Sequence, residues 1–135
     1  MPMDIPHIPD GEVLYRYIKP EALPDGQSEI PGGILQDKEL SCDWEKFCKN
    51  PQDSVQVKNG KSIIIAINVC DEIRNPKNMG VRDINLVQEI IHEPVEGHIL
   101  NDVVFEKNTA HSLIKGRKKK LVTDSIIRNS SFYKY

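Results

Sequence analysis

The run of residues 61–69, KSIIIAINV, constrains the fold of this chain more than any other segment. Its apolar residues occupy both sets of alternate positions, so a strand built from it has two apolar faces. Such a strand lies inside a sheet, with a helix covering at least one face. The run is far too short to span a bilayer. It therefore predicts a central strand of a helix-covered sheet.

Weaker alternation predicts further strands over residues 12–18, over residues 86–92 and around His111, with an edge strand at 103–105. Apolar residues at helical spacing predict a helix over residues 121–130.

Two shorter segments also have helical features. Residues 70–74 predict a helical turn that Pro76 limits. Residues 41–48 predict a short helix, because Ser41 is a suitable N-cap and acidic residues follow it. The buried stripe expected for this helix consists of Trp44, Phe47 and Cys48.

With 135 residues, the chain has the length of one domain. The predicted fold class is α+β, with a mixed or antiparallel sheet of four to six strands and two or three helices. Residues 19–38 contain three prolines and three glycines, which predicts a long loop.

The N-terminal sequence MPMDIP lacks a positive start and an apolar run, so we predict no export and a cytoplasmic location. The three cysteines are odd in number and form no Cys-x-x-Cys pair, which argues against a disulfide framework and a structural zinc site. No cofactor and no membrane partner are predicted.

The polar segment that most strongly indicates a binding site is KGRKKK, residues 115–120. The net charge is −2, yet these six residues hold 5 of the 18 cations, leaving 13 basic against 20 acidic residues elsewhere. Cations at the start of a helix are unfavourable, and a bound anion would compensate. Gly116 would let backbone N–H groups approach a phosphate. The predicted anion-binding residues are Arg16, Lys115, Gly116, Arg117, Lys118, Lys119 and Lys120.

Arg16 enters this set because it is a cation on an otherwise apolar strand. It is either paired with an internal carboxylate or exposed at an edge, where it could join an anion site. The chain has no Gly-x-x-x-x-Gly-Lys-Ser/Thr loop, which argues against a nucleoside triphosphatase.

His92 ends one predicted strand and His111 lies in another. If these strands pair, we expect the imidazoles within reach of each other and on the same corner as Lys115 and Arg117. Metal-independent RNA cleavage needs a base, an acid and a cation, which such a group would supply. A histidine on a strand is more usually hydrogen-bonded to backbone.

A metal site is the other chemistry open to the histidines. His92, His98 and His111, with Glu93, Glu96 or Asp102, have donor types that suit zinc or iron. Pro94 and Gly97 break the helical spacing of a zinc-protease pair, so the prediction contains no metal ligand.

Four segments resemble a family of small prokaryotic proteins without an established activity. They are LYRYIKP at 14–20, LSCDWEKFC at 40–48, HEP at 92–94 and NTAHSLIKG at 108–116. The resemblance implies a single bacterial domain and supplies no catalytic residue. The connection over residues 97–107 is longer than is usual in that family, which puts in doubt a shared role for His98.

Three hypotheses of function follow. The first is a small bacterial cytoplasmic accessory protein that binds nucleic acid, or a protein that processes it, through residues 115–120. The second is an enzyme, a metal-independent nuclease or toxin-like transferase that uses His92 and His111 as catalytic residues. The third is a protein-interaction module alone. The oligomeric state is open.

Overall fold

The computed structural model describes residues 7–20, 30–48, 50–51, 54, 63–105 and 107–133. Its helices are α1 (Asp71–Arg74) and α2 (Lys120–Arg128). Single 3-10 turns cover Gly32–Leu35, Glu45–Phe47 and Ile84–Leu86. The strands are β1 (Val13–Ile18), β2 (Glu39–Trp44), β3 (Ile63–Asn68), β4 (Lys77–Asn78), β5 (Val81–Arg82), β6 (Glu89–His92), β7 (His98–Leu100), β8 (Val103–Phe105), β9 (His111–Lys115) and β10 (Ser130–Phe132).

Six of these strands form one antiparallel sheet in the order β10-β3-β1-β2-β9-β6. The other four form two separate hairpins, β4–β5 and β7–β8. The chain therefore has a small α+β fold, and of the two predicted sheet types the antiparallel one is found. No helix among the residues listed above is long and apolar enough to cross a membrane.

The predicted central strand is β3, which lies between β1 and the short edge strand β10. On one face of the sheet, Ile65 and Ile67 are fully buried in the same core as Val122 and Ile126 of α2. On the other face, Ile64 packs in a smaller cluster with two tyrosines of β1. The sheet thus has a helix-covered face and an opposite face, and both bury apolar side chains.

The helix predicted over residues 41–48 is wrong. Residues 39–44 form β2, which pairs with β1 on one side and β9 on the other, and only a 3-10 turn follows. Leu40, Cys42 and Trp44 alternate onto the helix-covered face, so the period of this segment is two. The expected buried stripe does not form, since Phe47 is 43% exposed.

The other predicted elements are found with small shifts of their ends. Helix α2 starts at Lys120, and residue 130 belongs to β10 instead. Strand β6 covers only the second half of the strand predicted over residues 86–92, after a 3-10 turn. Within the predicted loop, residues 32–35 form a turn whose Leu35 is fully buried. Residues 21–29 of that loop lie outside the described residues.

Candidate functional site

Strand β9 carries both groups of predicted site residues, but at opposite ends. His111 begins the strand and Lys115 ends it. Four steps of about 3.4 Å separate these two Cα atoms by roughly 14 Å. The pairing with the His92 strand, which was the condition for a shared site, is present, since β6 pairs with β9 and Glu89 lies opposite Lys115. The histidines and the basic cluster therefore do not share a corner, contrary to expectation.

The two imidazoles also project from opposite faces of the sheet. His92 lies directly opposite Ser112, so these two residues share the helix-covered face. His111 is the next residue along β9 and points to the other face, where its cross-strand neighbour is Asp43. This arrangement does not bring His92 and His111 together as an acid/base pair.

His92 is held by packing and by one hydrogen bond. Its ring stacks on Phe47 at a centroid distance of 4.6 Å and meets Trp44 edge-on at 5.2 Å. Its Nε2 lies 2.7 Å from the carbonyl oxygen of Thr109. Because a carbonyl only accepts, Nε2 carries the proton and donates. These contacts give His92 a structural role.

His111 is fixed in a different way. Its Nδ1 lies 2.9 Å from the carbonyl oxygen of Glu93, so Nδ1 is the protonated nitrogen and Nε2 keeps a lone pair in the neutral ring. The side chain is only 16% exposed. Anchoring to backbone is shared with His92, and in His111 it leaves Nε2 as the nitrogen that can act as a general base.

Asp43 is the centre of a polar cluster beside His111. It is 1% exposed, and it lies in a row across three strands between Tyr15 of β1 and His111 of β9. Its carboxylate accepts hydrogen bonds from Asn108 Nδ2 at 2.8 Å and from the Ser54 hydroxyl. A buried carboxylate needs such donors, and here they orient it.

Other side chains of this cluster are held in their protonated forms. Burial, followed by the charge of Asp43, raises the pKa of Cys48 to about 12, so this thiol is not a nucleophile at neutral pH. Burial and Asp43 also raise the pKa of Tyr17. Tyr15 donates to Glu45 Oε2 at 2.9 Å. The cluster thus contains one oriented imidazole and no activated thiol.

Sequence reasoning missed Asp43 and Asn108. Asp43 fell inside the segment interpreted as a helix, where it looked like an ordinary first-turn acid. Reading the alternation of Leu40, Cys42 and Trp44 as a strand would have put Asp43 on the face opposite the core. Asn108 gave no such signal, because its role depends on a contact 65 residues away.

Lys118 of the predicted anion site turns inward. Its ammonium group donates to the carbonyl oxygens of Ile114 at 2.7 Å, Gly116 at 2.9 Å and Lys38 at 3.3 Å. Burial lowers the pKa of Lys118 to about 8. The ammonium group thus donates hydrogen bonds to carbonyl groups at the end of β9 and in the segment before β2.

The peptide of Gly116 is also used internally. Its N–H donates to the carbonyl oxygen of Lys38 at 2.9 Å and so does not face solvent to bind phosphate. Its φ is +149°, and a Cβ at this position would lie 2.6 Å from Nε2 of Gln88. Glycine is therefore required here by backbone conformation and by the close approach of Gln88.

The remaining cations of residues 115–120 divide into two groups. Lys115 lies 3.7 Å from Glu39 and Lys120 lies 2.8 Å from Asp124. Arg117 and Lys119 are exposed and make no ion pair within the described residues. The cluster therefore presents two unengaged cations at the surface.

A groove of about 590 Å³ runs beside this cluster. Its charged walls contain Glu39 and Glu89 as well as Lys38 and Lys115. The two carboxylates offset the two ammonium groups, so the groove has no excess of positive charge for an anion.

Arg16 is paired with a carboxylate, but that carboxylate, Asp37, is exposed and not internal as expected. On the helix-covered face it donates to the carbonyl oxygen of Ser41 at 3.0 Å and lies 3.4 Å from Asp37. A second guanidinium nitrogen donates to the carbonyl oxygen of Ile34 at 3.4 Å. Arg16 thus ties the turn over residues 32–35 and the start of β2 to β1.

Of the eight large apolar side chains that are exposed among the described residues, four lie on the β7–β8 hairpin. Its turn residues Asn101 and Asp102 have positive φ angles of 51° and 64°, as a two-residue hairpin turn requires. Ile99 pairs with Val104 and Leu100 with Val103, so each face of the hairpin carries one apolar pair. All four side chains are between 54% and 71% exposed.

Only the second strand of this hairpin was predicted from the sequence, although the Asn-Asp pair between two apolar pairs is a signal for the turn. As for metals, no three His, Cys, Asp or Glu side chains come together to hold an ion in the part of the chain that the structure describes.

Comparison of the chain with protein-family models, with curated proteins and with solved structures found no match. The resemblance to a family of small prokaryotic proteins therefore stays a prediction.

Proposed function

We propose that this chain is a small bacterial cytoplasmic protein-interaction module whose contact surface is the β7–β8 hairpin. The observation that carries the proposal is the exposure of four large apolar side chains on both faces of that hairpin. A two-stranded hairpin alone is marginally stable in water, and contiguous exposed apolar surface marks interaction sites. Burying four aliphatic side chains contributes several kcal/mol, at about 1 to 2 kcal/mol each.

An anionic partner is supported less well than a protein surface. Lys115, Lys118 and Lys120 are engaged by carboxylates or carbonyl groups of the chain itself. If residues 115–120 bind nucleic acid, Arg117 and Lys119 are therefore the two side chains that remain to contact it. Two exposed cations supply little of the phosphate neutralisation on which such binding depends.

Co-purification from native cells at about 50 and 500 mM salt tests the proposal, because salt screens charge contacts and not apolar ones. Wild type is expected to retain the same protein partner at both salt concentrations. The double variant Ile99→Glu with Val104→Glu should lose it without losing its own fold, since both side chains are exposed.

The matched control is Arg117→Glu with Lys119→Glu, which should keep the partner. Loss of the partner in this control, or at high salt, would favour the anion-binding hypothesis. A wild-type chain that retains no partner at either salt concentration would contradict the proposal.

The fixed orientation of His111 supports a second candidate, an enzyme of acid–base chemistry such as a metal-independent ribonuclease. In this candidate the lone pair on Nε2 takes the proton of a 2′-hydroxyl, whose oxygen attacks the adjacent phosphorus while the 5′-oxygen leaves and takes a proton from water. The backbone carbonyl of Glu93 holds the ring in place. His92 has no part in it. RNA cleavage should disappear in His111→Gln and persist in His92→Gln, whereas RNA that stays intact with wild type would rule this candidate out.

A further inference from the structure

We propose that the β7–β8 hairpin of one copy docks on the β4–β5 hairpin of a second copy, so that copies associate head to tail. This inference rests on the proposed function, because it uses the same hairpin as the contact surface and names its partner.

The β4–β5 hairpin is the second surface where apolar side chains are exposed together. Met79 at its turn, Val81 on β5 and Ile84 just after it are 70% to 96% exposed. Each hairpin therefore offers three or four large apolar side chains that its own chain leaves in contact with water. Their mutual burial would remove both patches at once.

The two hairpins carry charges of opposite sign. Within β7–β8 the exposed charged side chain is Asp102, and Glu93, Glu96 and Lys107 are exposed just outside it. Within β4–β5 the exposed charged side chains are Lys77 and Arg82, and the half-buried Asp83 follows them. Docking of one hairpin on the other brings acids against bases, whereas two β7–β8 hairpins would repel each other.

The topology places the two surfaces at different ends of one strand. The β4–β5 hairpin leads into β6 at Glu89, and the β7–β8 hairpin follows β6 after His92. One copy thus presents both surfaces, and each surface meets the other kind on the next copy. Such a heterologous contact builds rings or open chains rather than closed dimers.

Mixing of two variants in sedimentation velocity tests this arrangement. One variant is Ile99→Glu with Val104→Glu, and the other is Val81→Glu with Ile84→Glu. The mass of wild type should rise with concentration beyond a dimer, and each variant alone should stay monomeric. An equimolar mixture should form a dimer and nothing larger, because each variant keeps one intact surface.

Charge exchange gives a second test. Asp102→Lys and Arg82→Glu should each weaken self-association about tenfold or more, and the two substitutions in one chain should restore it. Lys19→Glu, which reverses an exposed cation outside both hairpins, should leave the association unchanged.

The outcomes separate this inference from the proposed function. Wild type that is monomeric at all concentrations overturns the head-to-tail contact, and so does self-association that persists in Val81→Glu with Ile84→Glu. If the hairpin-dependent partner in cell extracts is then a different protein, the proposed function stands and this inference falls. If no partner of either kind is found, both fall.

Discussion

In the KGRKKK segment, residues 115–120, one of the lysines, Lys118, makes hydrogen bonds within the fold although it belongs to a run of cations. The ammonium of Lys118 donates to three carbonyl groups near the end of β9, and one of them, that of Lys38, also accepts from the Gly116 N–H. From the sequence, Lys118 and its neighbour Lys119 look alike, because nothing in a run of cations says which side chain turns inward. The need for glycine at 116 was visible, but its reason was not, since Gln88 lies 28 positions earlier.

Gly116→Ala tests the steric requirement at this position. The new Cβ would force Gln88 away from its hydrogen bonds to the carbonyl oxygens of Leu86 and Arg117, both at 2.9 Å. With the strain of a positive φ, we expect a loss of about 2 to 4 kcal/mol in the free energy of unfolding. Gly33→Ala, where nothing lies within 4 Å of the new Cβ, should change it by less than about 1 kcal/mol. Urea unfolding measures both, and equal losses would refute the steric explanation.

The buried thiol of Cys42 predicts a dependence of stability on pH. Burial raises the pKa of Cys42 from 9.0 to about 12. The folded chain therefore binds this proton more tightly than the unfolded chain. The resulting stabilisation is complete below pH 9 and is lost as the pH rises toward 12, by up to about 1.4 kcal/mol per pH unit.

Cys42→Ala should remove this part of the alkaline slope. The variant is less stable than wild type at pH 8 because it leaves a cavity, but its stability should fall less steeply above pH 9. Urea unfolding at several pH values measures the two slopes. Tyr15, Tyr17 and Cys48 contribute slopes of the same sign in both proteins, so the difference isolates Cys42. Parallel curves would contradict the assignment.

At the scale of elements, the spacing of the apolar residues predicted β1, β3, β9 and α2, because the apolar residues of each of these segments fit one kind of element only. Residues 41–48 fit two periods. Trp44, Phe47 and Cys48 have helical spacing, whereas Leu40, Cys42 and Trp44 alternate. Hydrogen bonds to β1 and β9 stabilise the strand instead of the helix. Both neighbouring strands are distant in sequence, so the local pattern does not reveal them.

The contact between Asn108 and β2 predicts a large effect of a small substitution. Asn108→Ala removes a hydrogen bond of 2.8 Å from the buried carboxylate of Asp43 and the acceptor of the Ala110 N–H. We expect a loss of about 2 to 3 kcal/mol, since a buried charged group is left with fewer donors. Asn78→Ala, at an exposed position of β4, is the matched control and should be nearly neutral. Thermal and urea unfolding compare the two, and a neutral Asn108→Ala would mean that Asp43 does not depend on this bond.

At the scale of the whole molecule, the register of the sheet decided which predicted residues could form a site. The sequence predicted both strands that carry His92 and His111, but neither their pairing nor the register that sets His92 opposite Ser112. An offset of one residue moves a side chain to the opposite face. The same register puts Lys115 opposite Glu89, at the end of the β6–β9 pair that is far from both histidines. The predicted catalytic residues are therefore separated: the two histidines lie on opposite faces of the sheet, and Lys115 lies at the other end of β9.

The distribution of charge over the molecule gives a last prediction, for binding to nucleic acid. If only Arg117 and Lys119 contact phosphates, at most two counterions are released, and a plot of log affinity against log salt has a slope no steeper than about −2. Fluorescence anisotropy with labelled single-stranded RNA, single-stranded DNA and duplex DNA, from about 50 to 200 mM salt, measures this slope. Arg117→Glu with Lys119→Glu should abolish whatever binding is seen. A slope of about −4 or steeper would require Lys115, Lys118 and Lys120 to exchange their carboxylate and carbonyl partners for phosphate groups. That result would support the anion-binding role that the sequence alone predicts for residues 115–120.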